Sequence, residues 1–497
     1  MTIERATRNV GWVFGLYLVR SLVRLGYLTS FARLLEEGFG SYYFLLAPLA
    51  ILSTAAPLGL NVFLMRQINR GVDDARRFVS RCLGLNLVSS LLFSAGLLLV
   101  APFTGYAPDV RLGMMIMGLT VVPLALIAMM QSVGAAYEKL WIYAVLHNAT
   151  PLAEAAVGIV LLLNGFGLVS LCVLHLVLYS LYALVFFVMT RAAIVKFSFR
   201  FHWRAWTGFL KESWKIWVFA VQSVLYARLG VVILSALADN LRVGVFAAAM
   251  MLIDVIGVAA NAFRSAVFPY MVRAWHRDPE ELRQFQQSCV RLLAAVAVPM
   301  GLLGIVLAGP VMRLLFRQKY LASIPVLQVL VWLVFPIFFE RVLVRVCHAS
   351  GHTHLPIVGH TVVNVIRIVL SVVLVMHCGE DAPVGLAWAL VTSSMVGFVI
   401  YTLLIRRYIY AFAPLEPLAR TAAASAVPVA LVVLLMGRLS PILLALMVLV
   451  AFVAGVFLFR IFTTREFEII KRALLSFTGR KPDITAAETE TNDEAQP

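Results

Sequence analysis

About fourteen runs of roughly twenty mostly apolar residues follow one another along this 497-residue chain, and they decide what it can fold into. A helix of about 20 apolar residues crosses the roughly 30 Å of bilayer hydrocarbon. Only 13% of the residues are charged, about half the share of roughly 25% that soluble domains carry. We therefore predict an all-α membrane protein with about fourteen transmembrane helices. The predicted spans are 10–31, 41–65, 79–101, 113–134, 141–163, 167–189, 214–237, 243–269, 289–312, 325–348, 355–377, 384–405, 419–436 and 440–461.

Basic residues cluster in alternate loops between these runs. The other loops are short and carry isolated charges such as Arg111 and Arg242. Because loops rich in Lys and Arg stay in the cytoplasm, the pattern predicts an even number of spans with both termini cytoplasmic. The net charge of +16 then reflects basic loops beside the anionic inner leaflet and requires no nucleic acid. The basic clusters lie at 66–81, 191–215, 273–291, 406–420 and 460–481.

The second half of the chain resembles the first. The sequence around Gly40, between the first two spans, matches the sequence around Gly244, between the seventh and eighth. Two six-helix repeats in one orientation indicate two lobes that rock around a shared cavity. The predicted units are an N-terminal lobe (1–190), a cytoplasmic amphipathic linker (191–213), a C-terminal lobe (214–405), an additional helix pair with a basic end (406–481) and a disordered tail (482–497).

Arginines occur inside the predicted spans. Placing a charge in the hydrocarbon layer costs free energy, so these side chains must face protein, water or a counter-ion. They outnumber the carboxylates at the same depth, and such a surplus suits a cavity that receives an anion. Arginine donates paired hydrogen bonds to phosphate and stays charged. The arginines predicted to bind substrate are Arg20 and Arg24, which share a helix face, together with Arg228 and Arg264. The alternative is that each arginine extends its charged group to the membrane surface or pairs with a local partner. We favour this interpretation for Arg345 and Arg367. A further arginine, Arg341, also lies in a span.

Three carboxylates lie at the same depth, namely Glu154, Asp254 and Glu340. A buried carboxylate can take up a proton, so these residues are candidates for coupling transport to a proton or a sodium ion. Neutralising an arginine across the cleft is an equally good interpretation of Asp254. Three histidines at 348–354 lack the further ligands of a metal site, and we interpret them as polar loop residues. We expect no metal site and no cofactor.

The chain also resembles a known family. The segments 28–43, 59–66 and 244–253, and Phe268-Pro269 before a basic loop, resemble the polysaccharide transporter branch of the multidrug/oligosaccharidyl-lipid/polysaccharide exporters. That branch includes the O-antigen-type and lipid II flippases, and the resemblance covers about residues 5–405. It implies a flippase for an undecaprenyl-diphosphate-linked oligosaccharide in a bacterial inner membrane, with alternating access and a cationic central cavity. Family members place arginines on the first and eighth helices, which Arg20, Arg24 and Arg264 match in position.

Two other functions stay open at this stage. A cation-coupled multidrug exporter of the same superfamily would favour an acidic cavity, whereas this interior is net basic. A membrane glycan polymerase or ligase would carry a large outside loop, which the predicted spans leave no room for. We therefore predict a transporter and not an enzyme. Its partners would be the membrane, a lipid-linked oligosaccharide, and a glycan polymerase or other assembly proteins.

Overall fold

The computed structural model describes residues 3–35, 38–72, 74–199, 201–316, 318–412, 414–459 and 461–462. Within these ranges it defines every side chain except those of 3–18, 140–148, 258–259, 261–262, 264–266, 269 and 415. The described residues form α-helices, short 3₁₀ turns and loops, and no β-strand. The predicted all-α fold is confirmed. The predicted tail at 482–497 and most of the basic end lie outside the described residues.

Sixteen α-helices follow one another along the described chain. The first half consists of α1 (Ile3–Leu34), α2 (Gly38–Ala55), α3 (Leu60–Asn69), α4 (Ala75–Val100), α5 (Pro108–Ala136), α6 (Leu140–Leu163) and α7 (Leu168–Ala193). The second half consists of α8 (Trp203–Leu237), α9 (Asn240–Arg277), α10 (Pro279–Phe316), α11 (Ser323–Leu330), α12 (Val334–Ala349), α13 (Leu355–Cys378) and α14 (Ala382–Tyr408). A final pair follows, α15 (Leu415–Leu435) and α16 (Pro441–Leu458).

Two of the predicted spans are not single continuous helices. The span at 41–65 is divided into α2 and α3, because Leu58 and Gly59 both have positive φ angles, of 52° and 73°. The carbonyl of Ala55, at this break, accepts from the N–H of Leu58 at 3.0 Å. Trp217 on α8 donates its indole N–H to the carbonyl of Ala55 at 2.9 Å. The span at 325–348 contains α11, a 3₁₀ turn and α12.

The chain is a multi-pass membrane protein. Eleven segments of its described part are long and apolar enough to cross a membrane, and one of them, Leu355–Tyr408, contains both α13 and α14. Large apolar side chains point outward from these helices, as they must when the surrounding solvent is lipid. On the last two helices Val433 is 74% exposed and Leu458 77% exposed.

Helices of the two halves meet along a shared interface. Helix α1 packs against α9, and α2 packs against both α8 and α9. The final pair packs on itself and on α10, where Leu302, Val306, Val432 and Val448 form an apolar cluster. The division into two lobes stays a prediction, and the interface between the halves is what positions the candidate site.

The predicted linker at 191–213 is partly helical. Helix α7 ends inside it and α8 begins at Trp203. Phe197 and Trp206 are buried, and the indole N–H of Trp206 donates to the carbonyl of Arg81 at 3.1 Å. These contacts attach the segment to α4.

Candidate functional site

Three of the predicted site residues line one cavity between the halves. Arg24 on α1, Arg228 on α8 and Asp254 on α9 surround a space of about 180 Å³, which we call the central cavity. Leu28 and Met251 form part of its apolar wall. Residues far apart in the sequence are thus brought together by the contacts of α1 and α8 with α9.

The charges around the central cavity are only partly balanced. A guanidinium nitrogen of Arg228 lies 3.8 Å from a carboxylate oxygen of Asp254, and another lies 3.5 Å from the hydroxyl of Tyr43. Asp254 therefore neutralises part of the charge of Arg228. Arg24 has no ion pair among the described residues, although it lies within electrostatic range of Asp254. Among the described lining residues, two guanidinium groups thus face one carboxylate, while Glu154, outside the lining, also lies within electrostatic range of Arg24. A bound anion would complete the charge balance of the lining.

A second cavity lies inside the first half. It measures about 340 Å³ and reaches from the break between α2 and α3 to α7, and we call it the polar cavity. Arg20 lines it, together with Asn61, Tyr179 and Tyr182. Arg20 and Arg24 are four residues apart on α1, so one helical turn separates the two cavities on that helix. The predicted pair of arginines is therefore divided between them.

Glu154 lies in a buried hydrogen-bond network of the first half. Its carboxylate accepts hydrogen bonds from the hydroxyls of Tyr42 at 2.9 Å and Tyr27 at 3.4 Å, and lies 3.0 Å from Nδ1 of His175. Glu154 is 3% exposed and within electrostatic range of Arg24. Sequence reasoning missed His175, although a histidine in the middle of an apolar span was a visible signal.

Glu340 has a related environment in the second half. Nε2 of His360 lies 3.5 Å from its carboxylate, and the other ring nitrogen of His360 is hydrogen-bonded to the hydroxyl of Tyr401. Each half therefore places one carboxylate beside one imidazole, with Glu154 buried and Glu340 partly buried. Such pairs can hold or release a proton without exposing a charge to lipid.

The remaining arginines of the spans differ in role. Arg367 is 4% exposed and donates to the hydroxyls of Ser393 at 2.9 Å and Ser394 at 2.6 Å, and to the carbonyl of Tyr226. These bonds make it a structural residue, in agreement with the interpretation of local pairing.

Arg345 lies over the ring of Phe268 at 4.7 Å. The side chain of Arg264 on α9 lies outside the described residues, and Arg341 is half-buried on α12.

The three histidines at 348–354 lie at the end of α12 and in its link to α13. His352 contacts the hydroxyl of Ser350 at 3.2 Å. Across the described residues, no three His, Cys, Asp or Glu side chains are grouped as metal ligands.

The two halves are in close contact at the end where α1 leads into α2. The backbone of Gly40 meets that of Asn240 and Gly244, so that a Cβ atom on Gly40 would lie 1.8 Å from the carbonyl oxygen of Asn240. Nearby, Arg33 donates to the carbonyls of Leu315 at 2.8 Å and Leu314 at 2.9 Å, across the halves. We call this region the closed end. Gly40 and Gly244, which the sequence repeat matches with each other, meet there face to face.

Comparison with known proteins agrees with this architecture. The sequence model of a family described as "Polysaccharide biosynthesis protein" matches residues 31–325. A comparison with curated protein sequences finds no match.

Solved structures share the fold at low sequence identity. The lipid II flippase MurJ in an inward closed conformation has a TM-score of 0.74 and 14% identity, covering 93% of this chain and 99% of its own. An inward-facing multidrug resistance MATE transporter of the MOP superfamily has a TM-score of 0.60 and 14% identity, covering 78% and 95%. The Vibrio cholerae MATE transporter VcmN has a TM-score of 0.57 and 14% identity, covering 80% and 96%.

Proposed function

Because this chain belongs to the polysaccharide biosynthesis protein family, we propose that it is a flippase for a lipid-linked saccharide. The family resemblance noted in the sequence is confirmed by the family match and by the shared fold. The proposed substrate is an undecaprenyl-diphosphate-linked oligosaccharide, moved from the cytoplasmic to the outer leaflet for cell-surface polysaccharide synthesis. The proposed location is a bacterial inner membrane, with both termini in the cytoplasm.

The observation that carries this proposal is the charge balance of the central cavity. Arg24 and Arg228 face a space between the halves in which the described side chains supply one carboxylate, Asp254. A diphosphate offers two anionic groups that guanidinium forks bind well. The prenyl tail would stay in lipid while the head group crosses between the halves.

The closed end supports transport by alternating access. With the N-terminus in the cytoplasm, the contact of Gly40 with Asn240 and Gly244 lies on the outer side of the membrane. A substrate would enter the central cavity from the cytoplasm while this contact is closed, and would leave after it parts. The Arg33 hydrogen bonds to the end of α10 would break in the same step.

The proposed coupling ion is a proton bound at Glu154 and His175. This pair is buried, lies within electrostatic range of Arg24, and can change its charge without contact with the substrate. Glu340 with His360 is the corresponding candidate in the second half. Asp254 is a weaker candidate, because its carboxylate already faces Arg228. Sodium is the alternative coupling ion, since the Glu154 carboxylate and the hydroxyls of Tyr27 and Tyr42 supply oxygen atoms, whereas the imidazole of His175 favours a proton.

A multidrug exporter is the alternative function. MATE transporters share the fold, but at 14% identity that likeness extends to architecture alone. A cavity with two guanidinium groups and one carboxylate disfavours drug cations. An enzyme, namely a glycan polymerase or ligase, is the remaining alternative. The structural likeness to transporters is compatible with a chain that is not an enzyme.

Arginine substitutions test the proposal directly. In a bacterial strain that lacks its own copy, Arg24→Gln and Arg228→Gln should each lower surface glycan at least tenfold and cause lipid-linked glycan to accumulate inside, because each removes a phosphate ligand. Arg77→Gln is the matched control, since Arg77 lies at the start of α4, lines neither cavity and pairs with Asp74 at 3.0 Å. Normal export by the Arg24→Gln, Arg228→Gln double variant, at normal membrane levels, would contradict the proposal.

A further inference from the structure

The polar cavity has a lining that differs in kind from that of the central cavity. Arg20 is its one charged lining residue within the described part of the chain, and the other polar lining groups are hydroxyls and amides. Its volume of about 340 Å³ falls in the range of small-molecule sites. An apolar lipid tail would leave these polar groups unpaired, which excludes it as an occupant.

Several donors on this lining have no partner among the described residues. The hydroxyls of Tyr179 and Tyr182 make no hydrogen bond there, and the Asn61 amide uses only its oxygen, which accepts from the N–H of Val62 at 3.0 Å. Tyr179 packs against His175 with ring centroids 4.3 Å apart and ring planes tilted by 37°, a contact that orients its ring. The cavity therefore offers aromatic faces and free donors side by side.

This combination matches the chemistry of a sugar ring. A pyranose has apolar C–H faces that pack on aromatic rings, and a rim of hydroxyls that bond to amides and phenols. Tyrosine presents both an apolar face and a polar tip, and asparagine supplies two N–H donors and an acceptor. The backbone break beside Asn61, at Pro57 and Gly59, leaves room next to these groups.

The polar cavity lies next to the central cavity along α1. Arg20 and Arg24 are separated by one turn of α1, a rise of about 6 Å. A diphosphate held at Arg24 would have its first sugar at about that distance. We infer that the polar cavity binds the sugar rings next to the diphosphate, through Tyr179, Tyr182 and Asn61. This inference rests on the proposed function.

Binding of two lipids tests the inference. The purified full chain in nanodiscs is titrated with undecaprenyl diphosphate and with the lipid-linked glycan extracted from cells of its source strain. Tyr182→Phe and Asn61→Leu should weaken binding of the glycan-bearing lipid by about threefold to tenfold, since each removes one hydrogen bond. Binding of undecaprenyl diphosphate should stay unchanged, which also shows that the variants fold. Arg24→Gln should weaken both lipids.

The outcomes separate the two proposals. Equal binding of the glycan-bearing lipid by Tyr182→Phe, Asn61→Leu and the unsubstituted protein would overturn the sugar subsite and leave the flippase proposal standing. Equal weakening of both lipids would overturn it as well, because the residues would then act on the diphosphate or on the fold. If the unsubstituted protein binds neither lipid, the proposed function itself fails.

Discussion

Replacing Gly40 by alanine should push α2 and α9 apart at the closed end. The new Cβ atom would lie 1.8 Å from the carbonyl oxygen of Asn240 and 2.8 Å from the amide nitrogen of Gly244. An ordinary contact begins near 3.4 Å, so the distance to Asn240 must grow from 1.8 Å to 3.4 Å, a separation of about 1.6 Å. Both neighbours are backbone atoms, and rotating a side chain cannot relieve the clash.

The size of the effect follows from the cost of overpacking. Extra methyl groups in well-packed interiors cost about 1–3 kcal/mol, and every 1.4 kcal/mol is about tenfold in an equilibrium constant. If this strain disappears when α2 and α9 separate, the ratio of protein open at the closed end to protein closed there should rise by roughly fivefold to 150-fold.

Thiol labelling measures that shift. Leu28 lines the central cavity and is 2% exposed. Leu28→Cys is placed in a chain whose five native cysteines are replaced, and a membrane-impermeant thiol reagent is added outside right-side-out vesicles. The labelling rate should rise at least about fivefold when Gly40→Ala is added.

A second glycine provides the control. A Cβ atom on Gly26 of α1 would meet nothing within 4 Å, so Gly26→Ala should leave the labelling rate unchanged. The reasoning is refuted if Gly40→Ala reaches the membrane at normal levels, melts at the normal temperature and is labelled no faster than the parent.

Other substitutions should have distinct effects. Asp254→Asn should tighten binding of undecaprenyl diphosphate by at least about fivefold in a titration, because a charge pair near 4 Å is worth about 1 kcal/mol even in water; unchanged or weaker affinity would show that the carboxylate does not offset Arg228. Glu154→Gln should remove the response of export to an imposed pH gradient in proteoliposomes, whereas a retained response would exclude the Glu154–His175 pair as the proton site. Arg367→Met should lower the melting temperature of the detergent-solubilised protein, since each lost bond to a buried charge is worth about 1.5–3 kcal/mol; an unaltered melting temperature would contradict its structural role.

Most of the fold could be predicted from hydropathy and charge. Apolar runs set the positions of the helices, because in lipid a backbone must satisfy its own hydrogen bonds within each span. Hydropathy does not show the break between α2 and α3, since Leu58 and Gly59 lie inside a mostly apolar run, and the local signal for it is Pro57 followed by Gly59. The indole of Trp217 stabilises that break from another helix, and a contact across such a distance has no local signature.

The site could be predicted only in part. The depth of Arg24, Arg228 and Asp254 in their spans was visible in the sequence, and these residues do line one cavity. Their pairing was not visible, because the 3.8 Å contact of Arg228 with Asp254 depends on how two helices rotate against each other. The position of His175 in an apolar span was visible, but its partner was not, because the contact of its ring with Glu154 depends on how α6 and α7 pack.

The hydrogen bond from Trp217 to Ala55 restricts how the molecule can move. The carbonyl of Ala55, at the end of α2, also accepts from the N–H of Leu58 at 3.0 Å, so separating α8 from α2 would leave the indole N–H of Trp217 unpaired, at a cost of about 1–3 kcal/mol. Helices α2 and α8 should therefore travel as one rigid body, although they belong to different halves of the chain. The axis of rocking would then pass near this pair, and the widest displacement would occur at the far ends of the other helices.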